Sequence, residues 1–497
     1  MTALFPIPAS WAWTTLGEIT EVVGGVTRDT KKQSDPALPE VPYLRVANVQ
    51  RGYLDLREIT NIRVPESTLA KLRLQPGDVL LNEGGDRDKL GRGWVWDGQI
   101  PNCIHQNHVF RARLPEDTVL PRFLAWYINN PARQWFDQHA AQSVNLASIS
   151  LSTIKQLPVP LPPLDEQRCI VATLEDHLSR VSLGDQNLKQ ARLRSSALRR
   201  SLLDAAVSGR LVPRSFSGAE EWLSGLVRMR LAFSKKYKPP VSPASIPGYK
   251  LPNGWEITSL DAVSSTFGYG TSARCDFGAA GNPVLRIPNI QRGEIVLDDL
   301  KNAVDSSIDL SSLHVDHGDI LFVRTNGSRD LIGRAGVVRK SLQIAYASYL
   351  IRFRLIPNGI PADWVLLVVS SPLWRAYLEH QAASSAGQYN LNSRILAQLP
   401  IPVPPPDEIS LILSQADKYE DVQRTFDGDC AHGEQRSKLL RQSLLTEAFA
   451  GRLVSQDPGD EPGLMLLERI RAKRAAQPPA RRGRGTARHA PQEETLL

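Results

Sequence analysis

The sequence predicts a mixed α+β protein assembled twice over. Three observations carry that prediction. The 497-residue chain matches itself at an offset of about 241 to 244 residues, almost from end to end. Each copy opens with short β-branched runs set among Gly-rich turns and one or two helices. Each copy then closes on a long proline-free segment with apolar residues at 3-4 spacing. The expected architecture is two tandem α/β domains separated by two long helices packed as an antiparallel coiled coil, a pseudo-two-fold internal repeat. Two copies of so long a unit are too few for a solenoid.

The repeat can be followed residue by residue. Pro8, Trp11 and Leu16 return as Pro252, Trp255 and Leu260, and 41–52 (VPYLRVANVQRG) returns as 282–293 (NPVLRIPNIQRG). GDVL at 77–80 becomes GDIL at 318–321, and LPVPLPP at 157–163 becomes LPIPVPP at 399–405, both running into Asp-Glu. Gly-Arg-Leu-Val closes both copies, at 209–212 and 451–454. The expected parts are therefore 1–157, a globular domain; 158–249, a long helix, a short helix and a linker; 250–399, a second globular domain; 400–470, a second long and short helix; and 471–497, a basic, disordered tail.

Within the globular parts, strands are expected at 78–81, 108–114, 320–324 and 350–355. Helices are expected at 121–129 and 362–369, each stopped by an Asn or Ser ahead of Pro131 or Pro372. After Pro163, Ile170, Leu174, Val181, Leu188, Leu198 and Leu202 keep one helix face apolar. That predicts a helix of about 45 residues, near 68 Å long at roughly 1.5 Å per residue. The segment from Pro406 to Gly451 is less regular, and a break is expected around 428–433. Short amphipathic helices are expected at 219–230 and 463–474, the first leading into a linker, 238–252, with five prolines.

The net charge of +7 invites a nucleic-acid reading, but its distribution qualifies it. Each globular part is only +1, whereas 158–249 carries +6, 400–470 carries −6 and the tail +5. In both long helices acids come first and bases last. Laid antiparallel, the basic end of each would meet the acidic end of the other. Complementarity to the helix dipole would give the same order but not charge blocks as large as the basic one at 189–210 and the acidic one at 407–421.

Covalent chemistry is not indicated. There is no GxxxxGK[ST] loop, no HExxH, no metal-spaced Cys/His cluster and no Asn/Asp-Pro-Pro-aromatic segment. None of the nine histidines recurs at the repeat offset, and the four cysteines are scattered. The longest apolar run, 365–369, is far short of a membrane span, and the first residues lack a signal-peptide pattern. No metal or cofactor is expected in this chain, and its location is expected to be cytoplasmic.

What recurs is side-chain chemistry suited to base edges and phosphates. Arg45, Asn48, Gln50 and Arg51 return as Arg286, Asn289, Gln291 and Arg292. Arginine can grip guanine, and Asn or Gln adenine, through two hydrogen bonds each. A polar hairpin with an Asn-capped turn would produce the same residues. The Gly-rich loops at 82–93 and 324–336 add Arg87 and Arg92, then Asn326, Arg329 and Arg334. A third polar loop supplies Gln142 and Asn145, then Gln388 and Asn390.

The order of globular domain, LPVPLPPLDEQ segment, long helix and SGRLVP-like end, given twice, resembles the specificity (S) subunit of Type I restriction–modification systems. The resemblance spans about residues 5–475. The second copy departs from it at Ile409, where the first has Gln167. The resemblance implies a non-catalytic, DNA-binding subunit with two target-recognition domains, each reading half of a split, asymmetric site in double-stranded DNA. Its helices would act as spacers and dock two modification (methyltransferase) subunits, with restriction (motor–nuclease) subunits added to that core. S-adenosylmethionine, ATP and Mg2+ would belong to those partners. The competing expectations are a coiled-coil interaction scaffold without DNA specificity, the specificity subunit of a related fused restriction–methylation enzyme, and an enzyme with an unrecognised site.

Overall fold

The computed structural model describes residues 4–85, 89–142, 147–215, 218–233, 239–385 and 387–476. The basic segment expected to be a disordered tail lies almost wholly outside them. Contacts divide the chain into two compact units, Met1–Asn187 with Gly433–Leu497, and Leu188–His432.

The first unit is built on an antiparallel sheet in the order Glu21–Gly24, Val109–Arg113, Val79–Asn82, Gly93–Val95. Its central strand Val79–Asn82 is buried along its whole length, which is why the sequence there reads as a continuous apolar run. Pro121–Asn129 lies against this sheet, ending at Asn130 just before Pro131 as the sequence predicts. A second helix, Arg133–His139, follows at once. The core gathers Trp11, Leu16, Phe123, Tyr127, Ile170, Leu174 and Phe449, together with Leu466 and Ile470 of the helix Gly463–Ala475.

The second unit repeats the sheet order with Ser264–Tyr269, Leu350–Leu355, Ile320–Val323 and Ala335–Val337, and extends it by Gly293–Ile295 and Ile290–Gln291. Ala362–Ser370 takes the place of the first unit's sheet-packed helix, with Pro372–Gln381 behind it. Its core gathers Trp255, Leu260, Phe322, Trp364, Trp374, Ile409 and Ile412 with Leu203, Val207 and Leu226.

The Pro-rich segments are strands. Pro158–Leu161 pairs antiparallel with Ala12–Thr15, and Pro400–Val403 with Glu256–Ser259. Prolines at alternate positions place every missing N–H on one side, so the other side keeps its donors for a two-stranded ribbon. The following Pro-Pro pair cannot continue the ribbon, and acids in the next turn favour a helix start.

Both long helices have 44 residues, Leu164–Val207 and Pro406–Phe449. The break expected around 428–433 does not occur. A single helical Gly costs only about 1 kcal/mol, and side-chain bonds at i,i+4 approach it. Tyr419 Oη donates to Gln423 Oε1 at 3.1 Å, and Gln423 Nε2 to Asp427 Oδ1 at 3.0 Å.

Each unit holds part of both long helices, packed antiparallel. In the first, Arg441 Nη1 donates to Asp185 Oδ2 at 2.7 Å, and Leu174 and Leu178 share a cluster with Leu444, Leu445 and Ala448. In the second, Arg199 Nε donates to Glu420 Oε1 at 2.9 Å, and Ser195 Oγ bonds Gln423. Basic segments thus meet acidic ones as the charge order predicts. The Arg199–Glu420 pair is near half-exposed and contributes no more than about 1 kcal/mol.

Candidate nucleic-acid interface

The recurring Arg-x-x-Asn motif forms a 3-10 turn, Val46–Asn48 in the first unit and Ile287–Asn289 in the second. Asn48 is buried. Its Oδ1 accepts the Arg45 N–H at 2.8 Å, and its Nδ2 donates to the carbonyls of Asp55 and Glu58, both at 2.9 Å. Asn289 repeats this with the Arg286 N–H and the carbonyls of Val296 and Asp298. Both amide functions are consumed inside the fold, so Asn48 and Asn289 are corrected from base readers to turn-forming residues.

Their neighbours are partly held in the same way. Gln50 Nε2 donates to Ala47 O at 2.7 Å, and Gln291 Nε2 to Pro288 O at 2.9 Å. Arg51 Nη1 donates to Asn129 O at 2.8 Å, closing the end of the helix Pro121–Asn129. Arg92 Nη1 donates to Gln50 Oε1 at 3.2 Å. Arg286 bonds the carbonyl of Asp299 at 2.6 Å and lies over the Phe277 ring. Arg292 is almost fully exposed, at positive φ, 3.8 Å from Asp427. Arg45 is half-buried, with an Nε that meets no hydrogen-bond partner.

The second unit brings one polar group together. Asn326, Gln388, Thr325, Gly327, Ile287 and Tyr349 line an open cleft of about 320 Å3. Thr325–Asn326 pairs with Gln388–Asn390, which places Asn390 opposite Thr325. Arg329 Nε donates to Glu379 O at 3.1 Å beside the Tyr389 ring, and Arg334 is exposed. Arg87 and Asn145 lie outside the described residues, and only the backbone of Gln142 is described. That backbone corrects the alignment of the third loop. Ala141 faces Ser148 as Ala383 faces Asn390, so Gln142 corresponds to Ser384 and not to Gln388.

The sequence missed several residues at this edge. Arg324 lies 5.0 Å above the Tyr269 ring, and Tyr349 is 54% exposed beside the cleft. In the first unit His108 Nδ1 lies 2.6 Å from Glu83 Oε2. None of these recurs, and that is the signal that could have found them. Recurring residues hold the shared backbone, whereas residues that change on it are free to differ in function.

Among the described residues, no group of three or more His, Cys, Asp or Glu is placed to hold a metal ion, and no helix is long and apolar enough to cross a membrane. Arginines, amides and exposed rings on a duplicated framework are the chemistry that can meet base edges and phosphates. Residues 8–191 match the family described as the Type I restriction modification DNA specificity domain. The chain is 23% identical over 492 residues to the Type I restriction enzyme EcoKI specificity subunit of Escherichia coli K12, across 95% of this chain and 97% of that one. It is 23% identical to the StySPI specificity subunit of Salmonella potsdam, across 94% and 96%. The resemblance to specificity subunits carried by the sequence motifs is thereby borne out.

Two solved structures share the fold. The HsdS subunit from Thermoanaerobacter tengcongensis aligns with a TM-score of 0.54 at 18% identity, over 90% of this chain and 99% of that one. A chain from work on complex assembly and conformational transition of the type I R-M system gives 0.61 at 18% identity, over 90% and 100%.

Proposed function

We propose that this chain is the DNA sequence-recognition subunit of a Type I restriction–modification complex and is itself non-catalytic. The observation that carries this reading is the match of residues 8–191 to a DNA specificity domain, in a chain similar over nearly its whole length to specificity subunits. Residues 1–157 and 250–399 each read one half of a bipartite, asymmetric site. The long helices, within 158–249 and 400–470, space the two readers and dock two modification subunits. Those subunits supply S-adenosylmethionine chemistry on adenine, and restriction subunits add ATP- and Mg2+-dependent cleavage. The complex acts in the cytoplasm.

On this reading Arg45, Gln50, Arg51, Arg92 and Arg292 meet the DNA backbone or base edges around the two hairpins. Asn326, Gln388, Asn390, Arg329 and Arg334 do so around the cleft, while Arg286 braces its hairpin through Asp299. A net charge of only +1 on each reader implies local contacts rather than a broad basic surface.

Methylome sequencing of the host with and without this gene tests the function. A bipartite methylated motif present only with the gene is expected. Identical methylomes, in a host where the modification subunit is expressed, would overturn it.

A further inference from the structure

The two units put opposite charges on one backbone position. In the first, the Glu83 N–H donates to His108 O at 2.9 Å and its carbonyl accepts from Ile149 N at 2.9 Å. In the second, the Arg324 N–H donates to Tyr349 O at 3.0 Å and its carbonyl accepts from Leu391 N at 2.8 Å. The preceding residues, Asn82 and Val323, both donate to an arginine carbonyl, that of Arg92 or Arg334, at 2.8 Å. Glu83 and Arg324 are therefore the same place in the fold, as are His108 and Tyr349. A backbone that accepts a carboxylate in one copy and a guanidinium in the other does not depend on either for its shape.

Each side chain is nonetheless held in one pose. The Arg324 guanidinium lies over Tyr269, its Nη1 donates to Ser348 O at 3.4 Å, and its Nε meets no hydrogen-bond partner. It adjoins Thr325 and Asn326 of the cleft, where Tyr349 presents an open ring face. In the first unit Gly24 stands where the second has Tyr269, so that ring has no counterpart there. Instead the His108 ring takes Oε2 of Glu83, and a carboxylate has acceptor capacity beyond one such bond.

Resting on the DNA-reading function above, we propose that Glu83 and Arg324 are the specificity-determining residues that make the two half-sites differ. Arg324, fixed on Tyr269, donates to the O6/N7 edge of a guanine. Glu83, aimed by His108, accepts from the N4 amino group of a cytosine. These are the pairings that guanidinium and carboxylate make in the major groove.

The test uses the full chain assembled with its modification subunits, selecting bound duplexes from a random-sequence pool that is then sequenced. For the wild type, a required G·C pair in each half-site is expected. Arg324→Gln should change the preferred guanine to adenine, and Glu83→Gln should lower the preference for its cytosine by roughly ten- to a hundred-fold. Each variant should leave the other half-site unchanged and melt as the wild type does. Arg324→Lys, which keeps the charge but not the planar fork, should weaken the guanine preference without replacing it. A wild type that returns a bipartite motif with variants that leave it unchanged, or that alter both halves, overturns this assignment alone. A wild type that returns no motif overturns the DNA-reading function, and this assignment with it.

Discussion

Trp11 donates its indole N–H to Oε2 of Glu166 at 2.9 Å, tying the start of the chain to the first turn of a long helix 155 residues later. Trp255 and Glu408 repeat the bond at 2.7 Å, but Glu408 also accepts the Ser215 N–H at 2.6 Å and lies 3.8 Å from Arg214. Among the described residues no cation pairs with Glu166, and burial pushes its carboxyl above the ordinary range. A carboxyl raised on folding costs stability once ionised, and the cost grows as pH rises from the unfolded value through the folded one.

Glu166→Gln keeps an acceptor for Trp11 and removes that cost. Melting curves across pH 4 to 8 should show the variant as stable as the wild type or more so at neutral pH, with a flatter pH dependence. Glu408→Gln, which loses Arg214, should lower the melting temperature. A loss from Glu166→Gln equal to that from Glu408→Gln would contradict the argument.

His105 gives the first unit an acid-sensitive point. It is fully buried, with Nδ1 2.7 Å from Val109 O, and burial lowers its pKa to about 4. A histidine lowered on folding contributes stability above its unfolded value near 6.5, lost as pH falls through about 4. The full swing is roughly 3 kcal/mol at about 1.4 kcal/mol per pH unit. The corresponding residue in the second unit is Tyr346, which does not titrate there. Hydrogen exchange between pH 7 and 4 should open Ile104–His105 and Glu40–Leu44 before Ala345–Tyr346 and Pro283–Leu285.

Gly91 and Gly333 both sit at positive φ, +60° and +66°. A Cβ on Gly91 would lie 2.5 Å from the buried Phe136 ring, whereas one on Gly333 would meet the terminal Leu378 Cδ1 at 3.0 Å. Leucine can turn its methyl aside, but a ring fixed in the core cannot. Gly91→Ala should cost about 2 to 4 kcal/mol through strain and overpacking, and Gly333→Ala about half that. Chemical denaturation of the two variants, with each unit followed by hydrogen exchange, checks the order.

Much of the framework was legible because it is written twice. Gly77 and Gly318 recur for their positive φ, Asp78 and Asp319 because each takes two bonds from an arginine, Arg113 or Arg354. The helix stops before Pro131 and Pro372 were equally plain. Recurrence misled where it was taken as a sign of function, as at Asn48. The Gly428–Gly433 break failed because a helical Gly costs only about 1 kcal/mol, too little to interrupt a 44-residue helix whose preceding turns are bonded through Tyr419, Gln423 and Asp427. Gln167 and Ile409 show the limit of a motif. Both are fully buried, yet Gln167 bonds Leu120 N and Pro162 O while Ile409 joins an apolar cluster.

Asn48 separates framework from readout most directly. With three internal hydrogen bonds and no exposed amide, its loss leaves one donor and two acceptors, all in part-buried bonds, without that partner. Asn48→Ala should cost about 2 to 4 kcal/mol, since each such group forfeits roughly 1 kcal/mol or more. Asn48→Asp should be worse, although its acceptor for the Arg45 N–H survives, because it would turn a carboxylate oxygen toward the carbonyls of Asp55 and Glu58. Neither variant should alter which bases are preferred by the fraction that remains folded. Denaturation midpoints and duplex selection at a temperature where the variants are folded check both halves of that statement. A near-wild-type midpoint with a changed base preference would return Asn48 to the DNA.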